Sequence, residues 1–477
     1  MDQKPPAQYC STCEDIFHGA RNQGQTYEHH QDGEHLKQSA SNGCQFCFFL
    51  WEMLTETERE RMRKHADRPI TTTSIPAGEV HSNPSTSYSI TAASDGGYSM
   101  QYTFLGERYK DDRYSVVKTI SFLLEHCKYI STQFSQLWLT NTAVAQRLPD
   151  EGAVLSSDVP SSVTLASQWV NRCETLHKKK CSESIGDNNF LPTRLIDVGD
   201  RDYMNPCLHI TGGSPEPHGG TKYMTLSHCW GSIKPKKLET HNIKAMRQGI
   251  ELSTLPKTFQ DAIQITRTLG IRYIWIDTLC IIQDSPDDWF KESSLMCDIY
   301  ANSYCNIAAT AAKDGSVGCI YDRNPIIAHP LCIQATWTGL EPATYCLVDR
   351  NMWSREVDDA PLNQRAWVFQ ERFLSPRNLS FGVNRLFWEC AELRACETFP
   401  GGLPAEVSST AFQVSSPAAL DKKHPPSRKT EGRKTPHELA AMKAWFLMAT
   451  GAQLNLPLKG EFTSPFHSKD MTLMVTD

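Results

Sequence analysis

The sequence predicts an α/β protein: a mainly parallel sheet flanked by helices over residues 223–371, preceded by a helical, partly β N-terminal domain. Three observations carry this expectation. Strand-like and helix-like segments alternate between Tyr223 and Ala309, the signature of parallel strands joined by crossover helices. The first 215 residues mix helical apolar spacing with β-like alternation. Composition is that of an ordinary folded protein, 40% hydrophobic and 21% charged.

Residues 1–215 form the first expected domain, with two Cys-x-x-Cys pairs at Cys10/Cys13 and Cys44/Cys47. Ser41 or Asn42 can cap a helix on which Cys44, Cys47, Phe48 and Trp51 share a face. Residues 86–104 alternate around a turn at Asp95-Gly96-Gly97 and read as a hairpin. Ser161 or Ser162 starts a helix, and the Gly/Pro-rich stretch 211–220 marks a boundary. Tyr223–Leu226 reads as a strand. Pro256 opens a helix with Phe259, Ala262, Ile263, Thr266 and Leu269 at helical spacing, and Gly270 stops it. Ile271–Ile276 reads as a strand ending at Asp277, Pro286 to Asn302 as a helix, and Tyr304–Ala309 as a third strand. Residues 372–404 extend this core. Over 405–437 hydrophobic content falls while Ser, Pro, Lys and Arg rise, which predicts a disordered linker; 438–477 is a short tail.

Charge and cysteine usage narrow the function classes. A net charge of −6 gives no bulk attraction to nucleic acid or acidic membranes. The densest apolar run, Phe46 to Trp51, is too short to span a bilayer, and residues 1–9 lack an apolar leader core, so an intracellular, cytoplasmic protein is expected. Seventeen cysteines scattered through apolar segments suit core thiols or metal ligands in a reducing compartment.

Candidate chemistry follows from position. Ser227, His228 and Cys229 sit where a parallel strand delivers side chains to a ligand crevice, with Trp230-Gly231 ending the strand, and a Ser–His or Cys–His pair there could suggest a nucleophile. Ser227 and His228 are adjacent, so they point to opposite faces and make a poor nucleophile–base pair; a turn lining a pocket fits better. Asp277 at the next strand end either binds a ligand or caps the following turn. Trp289, Glu292, Met296 and Ile299 share one helical face, so Glu292 is a carboxylate on an apolar surface. It is either half of a salt bridge, to Arg272, Arg365 or Arg372, or a pocket carboxylate with a raised pKa. Arg365 can clamp an anion or hold the core together. Cys10, Cys13, Cys44 and Cys47 offer four thiolates for a structural zinc, with His18, His29, His30 and His35 between them; packed core thiols are the alternative. Cys173, His177 and Cys181 share a helical face, but with no fourth ligand in view they read as core.

Three segments resemble motifs of fungal heterokaryon incompatibility (HET) domains. YMTLSHCWG at 223–231 resembles the opening motif. LPKTFQDA at 255–262, followed by YIWID at 273–277 and CIIQD at 280–284, resembles the central one. RAWVFQE at 365–371 resembles the closing one. The resemblance implies a role in non-self recognition after hyphal fusion, ending in growth arrest or cell death, with protein partners or self-association as the trigger. HET domains usually continue into a helical region rich in Trp, Tyr and Asp, whereas this chain passes into the Lys/Pro-rich linker. It also lacks the G-x-x-x-x-G-K-[ST] pattern of a nucleotide-driven switch.

The arrangement is also similar to Toll/interleukin-1 receptor (TIR) domains, small parallel α/β units, some of which cleave NAD with a helix-borne Glu. On that likeness Glu292 would be catalytic, stabilising positive charge on the ribose of NAD as nicotinamide leaves, a fold-level analogy; Asp277, from its place at a strand end, is the second catalytic candidate. Two mechanisms stay open: an interaction module acting through contacts, and an enzyme that cleaves a nucleotide.

Overall fold

The computed structural model describes residues 9–18, 21–22, 24–66, 86–92, 98–108, 114–126, 159–177, 181, 190–199, 205–211, 221–231, 235–321, 323, 331–404 and 407. The turn expected at 95–97, most of the 211–220 boundary, the linker (Val407 apart) and the tail lie outside them.

The chain begins with α1 (Ser11–His18), β1 (Thr26–Glu28), α2 (Gly33–Ser41), α3 (Gln45–Glu52) and α4 (Glu56–Ala66). Three strands follow, β2 (Thr86–Ala92), β3 (Tyr98–Arg108) and β4 (Tyr114–His126), then α5 (Val159–Leu176), β5 (Arg194–Asp197) and β6 (Cys207–Ile210). Next come β7 (Tyr223–Ser227), α6 (Ile243–Gln248), α7 (Lys257–Thr268), β8 (Tyr273–Trp275), α8 (Asp277–Cys280), α9 (Pro286–Ala301) and β9 (Cys305–Ala308). The described chain closes with β10 (Leu331–Ala335), β11 (Ala343–Asp349), α10 (Ala366–Leu374), β12 (Arg377–Phe381), β13 (Leu386–Cys390) and β14 (Arg394–Cys396).

Two sheets organise these elements. The first has the order β1-β2-β3-β4-β11-β10 and is antiparallel throughout. Its alternate side chains Tyr88, Ile90, Met100, Tyr102, Phe104, Ile120 and Phe122 are buried, the period-2 pattern of a sheet with one face on a core. Phe17, Leu36, Phe46 and Leu50 of the N-terminal helices fill that core. The helix expected after Ser41 or Asn42 is α3, but neither residue caps it: Ser41 ends α2 and Asn42 is its C-cap, Gly43 turns the chain at φ 92, and Cys44 is the N-cap of α3. Gly43 reverses the chain where a side chain would be strained.

The second sheet has the order β14-β13-β12-β9-β7-β8-β5-β6. Its centre is parallel: β7 pairs with β8 and with β9, and β9 with β12. β7 and β9 are buried at every position, as strands covered on both faces must be. α7 runs from Pro256 to a stop at Gly270, φ 72, with Phe259, Ala262 and Ile263 turned inward. α9 starts at Pro286, capped by Ser285, whose hydroxyl accepts from the Asp288 amide.

The expectation of a mainly parallel sheet flanked by helices is corrected. Among the described residues, three of the twelve strand pairings are parallel and nine are antiparallel. The molecule has two large sheets, one antiparallel and one mixed, and is not the small parallel unit of TIR domains. The alternation at 223–309 reads its own crossovers correctly. It is silent on β5–β6 and β13–β14, short segments that add antiparallel edges to both sides of the parallel centre. It is equally silent on β10 and β11, which leave the second core and pair back onto β4 of the first. A cluster of Leu123, Val348, Trp353, Val357, Phe387 and Phe399 packs elements of the two sheets together.

Candidate functional site

β7 and β8 end side by side, and the groups beyond them form a buried polar cluster. Ser227 points into the sheet, where Asn306 Nδ2 donates to its Oγ at 3.0 Å and to Asn378 Oδ1 at 3.1 Å. Thr225 Oγ1 donates to the same Asn306 at 3.0 Å. The neighbouring His228 points the other way. Its Nε2 lies 3.5 Å from Thr278 Oγ1 and 3.6 Å from Asp277 Oδ1, and its ring meets Phe259 edge-on. Burial lowers the His228 pKa despite Asp277 beside it, which keeps the ring neutral. Ser227 and His228 therefore have separate partners on opposite faces.

Asp277 accepts from Trp230 Nε1 at 2.9 Å, from the Thr278 amide at 2.6 Å and from Thr278 Oγ1 at 2.9 Å. It thus tethers Trp230 and opens the short helix α8. Arg365 donates through Nη1 to the His228 carbonyl, holding the start of α10 against the end of β7. Gly231 follows at φ 63, and a side chain there would run into Asp314.

Glu371, one turn and a half along α10 from Arg365, joins this cluster. It is buried, and desolvation pushes its pKa up to about 7; the Ser227 hydroxyl and Arg365 oppose the rise, while Asp277 adds to it. The buried Tyr300 hydroxyl is a further neighbour. One oxygen of Glu371, Oε2, has no hydrogen-bond partner. A carboxyl with that pKa can take up or release a proton near neutrality. Sequence reasoning placed Glu371 in the closing motif without a role, and did not single out Tyr300 or Asn306. The available signal was a charge in the short run Ala366–Leu374, whose other residues are mostly apolar.

Glu292 belongs to a different set. It is fully buried, and its charge partner is Arg194 of β5, with Nη2 3.5 Å from Oε1. Arg194 also binds Asp288 Oδ2 at 2.5 Å and donates to the Cys280 carbonyl at 2.6 Å. Burial raises the Glu292 pKa, opposed by the Thr193 hydroxyl and Arg194. The arginines expected as partners are engaged elsewhere: Arg272 with Asp197, Arg365 with the His228 carbonyl, and Arg372 with Glu389 and Asp358. The structure thus brings Ser227, Trp230, Asp277 and Arg365 around the end of β7, while Glu292 faces Arg194. Both Asp277 and Glu292 act on the buried Cys280 thiol, pushed up to about 12 chiefly by desolvation. These contacts lend no support to NAD as a substrate.

The N-terminal cysteines converge. Cys10 and Cys13 flank the start of α1, Cys44 and Cys47 the start of α3, and their four sulfurs lie within 4.8 Å of one another. Separations of 3.8 Å for Cys10–Cys47, 3.4 Å for Cys13–Cys47 and 3.6 Å for Cys13–Cys44 approach the edge of a tetrahedron with metal–sulfur bonds of about 2.3 Å. His29 Nε2 stands 3.2 Å from Cys13 Sγ, and His30 Nε2 3.1 Å from Cys47 Sγ. Cys10, His29, His30 and Cys47 are a second set of four donors at the same place. Six donors exceed one tetrahedral ion, so the two not bound can donate to thiolates and orient them. His29 in turn contacts the buried Tyr102 hydroxyl of β3, tying the cluster to the first sheet. The set could hold a metal such as zinc.

Residues 223–371 match the sequence model of the family described as Heterokaryon incompatibility protein (HET). No curated protein matches the chain, and no solved structure does.

Proposed function

We propose that this chain, which carries a heterokaryon incompatibility domain over residues 223–371, is an intracellular fungal effector of non-self recognition that triggers growth arrest or death through protein contacts. One observation carries the contact mechanism. Within the domain, α9 and α10 pack together through Gln370 and Cys297, yet Phe290 and Phe369 on them remain 49% and 52% exposed. Phe369 also stacks on Phe373, with ring centroids 5.6 Å apart. Large aromatic side chains left in water mark contact surfaces. Among the described residues no helix is long and apolar enough to cross a membrane.

The test is expression of the full chain, wild type and Phe290→Glu/Phe369→Glu, in a fungal host. Wild type should arrest growth and sediment with a partner or as an oligomer; the double variant should lose both while keeping its melting temperature. Undiminished arrest by a folded double variant refutes the reading.

The N-terminal cluster serves as a structural zinc site on this account. It clips α1 and α3 to the first sheet, and chelation should loosen that half of the molecule.

A further inference from the structure

Cys173 and His177 are one helical turn apart at the C-terminal end of α5, and Cys181 follows. The sequence offers no fourth ligand beside them. The structure supplies one from far along the chain: Cys390, the last residue of β13, 213 positions after His177. Cys390 Sγ lies 3.4 Å from His177 Nδ1 and Cys181 Sγ 3.9 Å from it, and all four donor atoms fall within 4.8 Å of one another. Metal–sulfur bonds of about 2.3 Å and metal–nitrogen bonds of about 2.0–2.1 Å require tetrahedral edges of roughly 3.5–3.8 Å, which these distances bracket.

We infer that Cys173, His177, Cys181 and Cys390 form a second zinc site, distinct from the N-terminal cluster, that fastens the flank before the HET domain to the flank after it. Three thiolates and one imidazole suit zinc, and the four donors close the coordination sphere, leaving no position for a reacting water. Cys173, His177 and Cys181 are buried and all three cysteines are free thiols. The surroundings complete the chemistry. Three thiolates with a divalent ion carry one net negative charge, and the Arg377 guanidinium donates to Cys173 Sγ at 3.3 Å, supplying the opposite charge. The Cys181 amide donates to Glu392 Oε1 at 3.3 Å, beside the third sulfur. Such outer partners orient thiolate ligands. Neither flank lies within residues 223–371, so the site joins α5 to the β12–β13 edge across the domain.

Metal analysis of the full chain, purified with zinc present, tests this. Wild type should carry about two zinc ions per chain, one for each cluster. Cys390→Ser should carry one, and Cys390→His, which keeps a ligand, should carry two. The Cys10→Ser/Cys13→Ser/Cys44→Ser/Cys47→Ser variant, which leaves the N-terminal cluster only His29 and His30, should keep one zinc, with an X-ray absorption shell of three sulfurs at about 2.3 Å and one nitrogen at about 2.0–2.1 Å. Loss of the N-terminal zinc alone leaves the second site standing, so the two fail separately. The inference is overturned if folded Cys390→Ser retains the wild-type zinc content. It is equally overturned if wild type shows a disulfide among Cys173, Cys181 and Cys390, or if the shell of the fourfold variant contains sulfur only. Should Cys390→Ser fail to fold, the shell of the fourfold variant decides.

Discussion

Arg194 governs the chemistry available to Glu292. Two carboxylates and a carbonyl share one nearly buried guanidinium, so removing the cation differs from removing one anion. Arg194→Met should cost about 3–5 kcal/mol, because it strands Glu292 and Asp288 without a positive charge. Glu292→Gln should cost less, about 1–2 kcal/mol, since Arg194 keeps Asp288 and the Cys280 carbonyl. Denaturant unfolding of both variants checks the order; equal losses would mean that Glu292 is the main partner. Glu371 makes a pH-dependent counterpart. Folded, it holds its proton to about pH 7, whereas the unfolded chain releases it near 4.5. Its contribution is therefore fully present below about pH 4.5 and is lost as pH rises through 7. The stability of wild type relative to Glu371→Gln should fall by about 3 kcal/mol between those limits, at 1.36 kcal/mol per unit. A flat difference would place Glu371 in solvent. The sequence marked Glu292 as a misplaced charge because helical spacing alone put it on an apolar face. Arg194 was beyond reach, because it comes from β5, nearly a hundred residues earlier.

The crossovers from β7 to β9 were readable because their signals are local. Pro256 and Gly270 bracket one helix, Ser285 and Pro286 open the next, and apolar runs mark strands buried on both faces. β10 and β11 carry no such signal. They pair with each other, and β11 meets β4 some two hundred residues away, so their place in the first sheet is decided by tertiary packing. Gly231 shows how tightly the end of β7 is built. Its backbone lies in the left-handed region, and Asp314 occupies the space of a side chain. Gly231→Ala should destabilise by about 1–3 kcal/mol and shift the Trp230–Asp277 hydrogen bond, visible as altered Trp230 fluorescence. A neutral Gly231→Ala would show that this turn can relax freely.

The two sheets are interlocked, since the chain crosses from the second core to complete the first and then returns. Local disturbance should therefore spread. If the N-terminal cluster holds zinc, a chelator should lower the melting temperature of the Cys390→Ser chain, which lacks the second site, by several degrees, in proportion to metal affinity. An unchanged melt in chelator would make the converging cysteines ordinary core thiols. Surface exposure ties this architecture to the proposed function: the domain buries Glu292 beside Arg194 and Glu371 beside Tyr300, and offers Phe290 and Phe369 outside. The contact mechanism proposed above needs only the exposed rings, whereas a nucleotide-cleaving one would require the buried groups to meet substrate. The decisive measurement is the NAD content of cells expressing the full chain, sampled through the onset of growth arrest. Contact-driven arrest predicts NAD unchanged until after growth has stopped. A fall in NAD before arrest, abolished by Glu292→Gln in a protein that stays folded, would contradict it.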